Sequence, residues 1–158
     1  MRVTKAIKAE QLRILKETYP NAKPALHFNS PFELLIAVIL SAQCTDVRVN
    51  IVTERLFLKA NTPEAIAALS QEELETDIHD CGFFRMKAKH ILETCDIILK
   101  QYGGEVPANF EALQKLPGVG RKTANVVMSV AFHEPAIAVD THVFRVSNRL
   151  KLSVGDTP

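Results

Sequence analysis

The stretch LPGVGRKTANVVM, Leu116 to Met128, sets a proline and two glycines directly ahead of Arg121, Lys122 and Thr123. A lysine in that place can serve in two ways, as a fixed positive charge or as a reacting amine. Pro117-Gly118-Val119-Gly120 reads as a tight, bare turn, because Gly118 and Gly120 can take positive φ and let another backbone come close. A helix expected from about Arg121 to Phe132 follows at once. Its first N–H groups and the positive end of its dipole then face outward, which suits a phosphate. Arg121, Lys122 and Thr123 add side-chain donors. With NFEALQKL read as the preceding helix, about 109–132 forms a helix-hairpin-helix, whose phosphate contacts would position DNA without reading its sequence. An αα-corner with solvated lysines is the plainer reading of a bare G-x-G turn. The full string is much more specific.

Charge points the same way. The chain as a whole carries a net charge of +1, but Lys115 to Lys151 holds six basic residues against two acidic ones, Glu134 and Asp140. That segment is +4 and the rest is −3, which places an anion-attracting region around the turn.

The elements that must position these groups are helical. Ser30-Pro31 pairs an N-cap with a proline at the first helical position ahead of FELLIAVILSAQ, and Thr62-Pro63, Ser70 and Asn109 open further helices. Asp46 reads as another N-cap. Gly82, the Gly103-Gly104 pair and Pro107 punctuate the spaces between. One apolar face runs through Ile91, Leu92, Cys95, Ile98, Leu99 and Tyr102, and another through Val47, Ile51, Val52, Leu56 and Phe57. Strand patterns are nearly absent, so an all-α protein of roughly nine short helices is expected.

At 158 residues with 47% apolar and 23% charged, the chain has the profile of a soluble globular protein with a sizeable core. Its longest apolar run, Leu34 to Leu40, is far below the roughly 20 residues that cross a bilayer and reads as a buried helix. The N-terminus shows no secretory pattern. Three cysteines, Cys44, Cys81 and Cys95, have no C-x-x-C spacing and no metal-ligand pattern, and a reducing cytoplasm with thiols as small core residues is expected.

Five segments, LLIAVILSAQCTDVRVN, CGFFRMKAKHI, GEVP, LPGVGRKTANVV and AVDTHVFRVSNRL, resemble in sequence and order those of the endonuclease III family of helix-hairpin-helix DNA glycosylases. The resemblance covers about Phe32 to Leu150. It implies a helical barrel domain over about 24–134 and a second domain pairing 1–23 with 135–158. It further implies a glycosylase and abasic-site lyase acting on oxidised pyrimidines in duplex DNA. In that family the lysine matching Lys122 attacks C1′ of the damaged nucleotide, expels the base and forms a Schiff base that allows β-elimination. Placement in the first turn of a helix beside Arg121, with desolvation by DNA, disfavours the ammonium form, the direction a nucleophile needs. Asp140 is implied to stabilise the charge developing at C1′ and to assist proton transfer, and it also suits an N-cap before Thr141. The separation of 18 positions permits the pairing: the helix to Phe132 travels about 15 Å, and the eight steps back span up to about 27 Å.

An enzyme of this kind extrudes the nucleotide and fills the gap. The resemblance assigns this to Gln43, whose amide can pair with an orphan base edge, and to Phe83, where other members carry leucine. A C-terminal capping amide for Gln43 and core packing for Phe83 and Phe84 are the structural alternatives. His142 and Arg145, three apart on one helix, serve the pocket or a phosphate, or solvate the helix. The implied DNA-contacting set is Ser41, Gln43, Phe83, Leu116, Gly118, Val119, Gly120, Arg121, Thr123, His142 and Arg145. The expected partner is duplex DNA bearing a damaged base or an abasic site, met by a monomer in the cytoplasm, with no membrane.

Most of the family continues into four cysteines spaced C-x6-C-x2-C-x5-C that hold a [4Fe-4S] cluster. The three cysteines here do not match that pattern, so no cofactor is expected in this chain, and a truncated chain with an incomplete second helical domain is expected. Two other functions compete. An inactive helix-hairpin-helix DNA-binding fragment would bind in a salt-sensitive way without cleavage, and an adenine-mismatch glycosylase of the same superfamily would lack the lysine at 122. A metal-dependent nuclease has only EELETDIHD behind it, which reads as a solvated helix face.

Overall fold

The structure, a computed structural model, describes residues 3–158. Nine α-helices and one π-helical turn, with no strand, occur among the described residues: α1 Lys5–Thr18, α2 Pro31–Ser41, α3 Asp46–Lys59, α4 Pro63–Ala67, α5 Gln71–Asp77, α6 Phe84–Gln101, α7 Phe110–Gln114, α8 Arg121–Val126, the π turn Val127–Ala131, and α9 Thr141–Leu150. The chain divides into two units, Pro24–Ile137 and the residues up to Lys23 together with Ala138–Pro158.

Local sequence starts the helices where a side chain can take up an orphan N–H. Ser30, Thr62, Ser70 and Asn109 each accept a bond from the N–H three residues on, and Ser70 forms a full capping box with Glu73. At α3 the cap is Thr45, not Asp46. The threonine hydroxyl reaches the Arg48 N–H, and Asp46 stands inside the first turn, where its charge suits the dipole.

In the larger unit α2 is the hub. Every residue from Phe32 to Leu40 is buried, and the helix meets α3, α6, α8 and the π turn. Such an all-round apolar helix survives only when neighbours surround it. Glu33 is buried among them, its carboxylate accepting from the Asn29 N–H at 2.6 Å and the Asn61 amide at 3.4 Å. The buried face of α6 is Lys87, Ala88, Ile91, Thr94, Cys95 and Ile98. On α3 the face differs from the expected one: Val49, Val52, Thr53 and Leu56 are buried, while Val47 and Ile51 are exposed. Contact with α2 and α5 decides that register, and Thr53 is tolerated inside because its hydroxyl donates to Asn50 O at 3.3 Å.

The helix after the hairpin is also not a continuous α-helix to Phe132. It is α-helical to Val126 and then widens, with the Phe132 N–H bonded to Val127 O at 3.4 Å.

In the smaller unit α1 is tied to the end of α9. Lys8 Nζ donates to Leu152 O at 2.9 Å and Gln11 Nε2 to Leu150 O at 3.0 Å. No described residue of this unit is fully buried. No helix among the described residues is long and apolar enough to cross a membrane.

Candidate functional site

The hairpin is built on α6. Gly118 has φ +76, and a Cβ there would lie 3.2 Å from His90 Cβ and Nδ1, so only glycine fits on both counts. The buried Thr94 donates its hydroxyl to Pro117 O at 3.0 Å and fastens the turn from below. Gly120 does not use positive φ, contrary to the expectation. It is extended, with φ −88 and ψ −176, and a Cβ there would meet nothing within 4 Å. Its bareness leaves open space in front of the α8 N-terminus, which has no side-chain cap.

Lys122 is exposed in that first turn beside the exposed Arg121, with Thr123 half-buried behind them and Ala124 anchoring the helix in the core. Leu116 and Val119 are core residues at 3% and 6% exposure, and the Val119 N–H is bonded to Leu116 O, so their side chains hold the turn from within. An apolar residue flanking a glycine in a turn is drawn to the core, which sequence spacing alone does not reveal.

Two further loops bring Gln43 and Phe83 to one pocket. Gln43 is exposed with φ 52, and Phe83 is 62% exposed with φ 57 and ψ 35. Both are side-chain-bearing residues in the left-handed region, a strained conformation that collects at functional sites. Together with Met86, Lys87, His90 and Gly118 they line an open, largely apolar pocket of about 320 Å³. Phe83 is therefore not a core residue. Phe84 is the one that packs inward, its ring centroid 4.7 Å from that of His79, with the Arg85 guanidinium 4.9 Å above its face. Ser41 is half-buried and donates its hydroxyl back to Val38 O at 2.7 Å, so that proton is already used.

Lys87 went unnoticed in the sequence. Its Nζ donates to Leu40 O at 2.9 Å and Ala42 O at 2.7 Å, the last carbonyls of α2 and of the turn after it. Burial pushes its ammonium below the ordinary lysine range. The signal that could have found it is register: Lys87 stands with Ile91, Cys95 and Ile98 on the apolar face of α6.

In the smaller unit Asp140 is the N-cap of α9, its Oδ1 accepting from the N–H groups of His142 at 3.0 Å and Val143 at 2.8 Å. His142 and Arg145 share the exposed face after it, Arg145 NH2 lying 3.4 Å from His142 Nδ1. Lys115, Arg121, Lys122, Arg145 and Arg149 make no salt bridge among the described residues, whereas Arg13, Arg55, Lys59, Arg85, Lys89 and Lys100 do.

The cysteines do not suit an iron–sulfur cluster. Burial pushes the Cys81 and Cys95 thiols up to about 12, the reverse of what thiolate ligation needs, and no three metal-ligating side chains converge among the described residues.

Residues 36–158 match the HhH-GPD superfamily of base excision DNA repair proteins. Endonuclease III of Escherichia coli K12 is 52% identical over 153 residues, 97% of this chain and 72% of the relative. Among solved structures, a non-covalent endonuclease III–DNA complex superposes with a TM-score of 0.91 at 52% identity, covering 99% of this chain and 73% of that one. A trapped endonuclease III–DNA covalent intermediate, an estranged-adenine complex, gives 0.90 at 52% identity over 99% and 74%. The all-helical frame agrees with these likenesses, and the chain belongs to the HhH-GPD superfamily and, within it, to the endonuclease III family of DNA glycosylases and abasic-site lyases.

Proposed function

We propose that this protein is a bifunctional base-excision enzyme that removes oxidised pyrimidines from duplex DNA and cleaves 3′ to the abasic site, with Lys122 as its nucleophile. The observation that carries the reading is Lys122 itself, exposed in the first turn of a helix that has no side-chain cap and is entered through a bare, braced hairpin. A surface lysine needed only for solubility calls for none of that.

The hairpin backbone and Arg121 take hold of a phosphate, fixing the register of the strand without reading it. Gln43 and Phe83, held outward by their left-handed backbones, fill the space left by an extruded nucleotide. The neutral Lys122 amine attacks C1′, the C–N bond to the base breaks, and the base leaves with a proton. Asp140 offsets the positive charge that develops at C1′ and relays protons to and from the amine. The amine gives up a proton, the C1′–O4′ bond breaks with O4′ taking a proton, and the opened sugar is left as a Schiff base that acidifies the C2′ hydrogen. Its loss expels the 3′ phosphate by β-elimination, and water releases the lysine.

His142 and Arg145 serve a phosphate on the same strand. The partner is duplex DNA with a damaged base or abasic site, met by a monomer in the cytoplasm. No step passes through a metal or cluster.

Strand cleavage measured in EDTA tests this. Lys122→Ala is expected to lose cleavage of abasic-site DNA by at least about a thousandfold while still binding the duplex. Asp140→Asn keeps the N-cap, since asparagine caps as well as aspartate. It is expected to lose about 10²–10³-fold in rate with thermal stability unchanged. Cleavage that needs a divalent metal, or that survives Lys122→Ala, excludes the reading, and salt-sensitive binding without any cleavage identifies a DNA-binding fragment instead.

A further inference from the structure

Gln43 and Phe83 come from segments forty residues apart, and each is held in a left-handed conformation that no side-chain-bearing residue keeps without support. Their two loops touch: a Cβ added to Gly82 would stand 3.5 Å from Gln43 O. Lys87 joins them. Its own N–H is bonded to Phe83 O at 3.0 Å, which places it one turn into the helix that Phe83 opens. Its buried Nζ crosses to Leu40 O at 2.9 Å and Ala42 O at 2.7 Å, on either side of the exit of α2 and immediately before Gln43. The Lys87 side chain is buried, and the two carbonyls hold its ammonium in place.

We infer that Lys87 is a positioning residue for the opening of the duplex, clamping the Gln43 loop to the Phe83 loop so that both side chains enter the gap as one rigid wedge. A buried apolar residue would fill the same volume. Only a long side chain with donors at its end can take hold of the backbone that aims Gln43 while springing from the helix that aims Phe83. This inference rests on the reading of Gln43 and Phe83 as the residues that replace the extruded nucleotide.

The test compares strand cleavage of an abasic site in a fully paired duplex with cleavage of the same site already extruded in a bulge. The ratio of the two rates is independent of the fraction of enzyme folded, because unfolded protein contributes to neither. Lys87→Met is expected to lower the duplex-to-bulge ratio by about tenfold or more, in line with the cost of a small misplacement. Lys87→Gln, a milder change that keeps one donor group, gives the same direction if the methionine variant does not fold. The double variant Gln43→Ala/Phe83→Ala is expected to lower the ratio as well, and adding Lys87→Met to it is expected to change nothing further.

If the double variant lowers the ratio and Lys87→Met does not, or if the two effects simply add, the clamp is overturned while the wedge stands. If the double variant leaves the ratio unchanged, the wedge reading falls and takes the clamp with it.

Discussion

Gly118 and Gly120 stand two positions apart in one turn, and the structure asks different things of them. Gly118 is required by its own backbone and by His90, so Gly118→Ala is expected to cost about 1–3 kcal/mol of stability in denaturant melts. Gly120 is extended with open space before it, so Gly120→Ala is expected to cost at most about 1 kcal/mol yet to weaken duplex binding in titration, because its methyl group fills the approach to the α8 N-terminus. Sequence alone treated the two alike, because a G-x-G string carries no φ angle. The four caps at Ser30, Thr62, Ser70 and Asn109, and Asp140 as the N-cap of α9, were legible, since each rests on residue type at a fixed offset. Lys87 was not, because a lysine among other charges in RMKAKH shows its burial only once the helix face is known. Leu116 and Val119 were legible as part of the motif but not as core.

At the scale of elements, seven of the nine α-helices among the described residues begin with a side-chain cap, and the two that do not are α6 and α8. These are the two helices that border the Gln43–Phe83 pocket and carry the hairpin lysine. Without a side-chain cap, the first N–H groups of α8 are the donors that the proposed phosphate contact would use. Helix α6 also works as the bench on which the hairpin rests, through Thr94 and His90. Thr94→Val removes the donor, keeps the shape and leaves Pro117 O unpaired, so a loss of about 1–2 kcal/mol is expected in thermal or denaturant unfolding, with Thr94→Ser restoring part of it. Helix number and type were readable from caps and periodicity. The face of α3 and the π turn after Val126 were not; the α3 face is settled by contact with α2 and α5 rather than by local pattern.

For the whole molecule, the buried residues belong to Pro24–Ile137, and the smaller unit keeps none among its described residues. Native-state amide exchange is therefore expected to be slowest in α2 and α6 and fastest in α1 and α9, and uniform protection across all four would contradict that difference in packing. Charge is divided unevenly as well: the stretch from Lys115 to Lys151 sums to +4, and its Lys115, Arg121, Lys122, Arg145 and Arg149 make no salt bridge among the described residues. These features serve one claim, that Lys122 does covalent chemistry on DNA. Its most direct test is borohydride reduction of the protein on a duplex carrying an abasic site, followed by digestion and mapping of the adduct. A single reduced adduct on Lys122, absent from Lys122→Ala, is the expected result. An adduct on another lysine, or one that persists undiminished in Lys122→Ala, would contradict it.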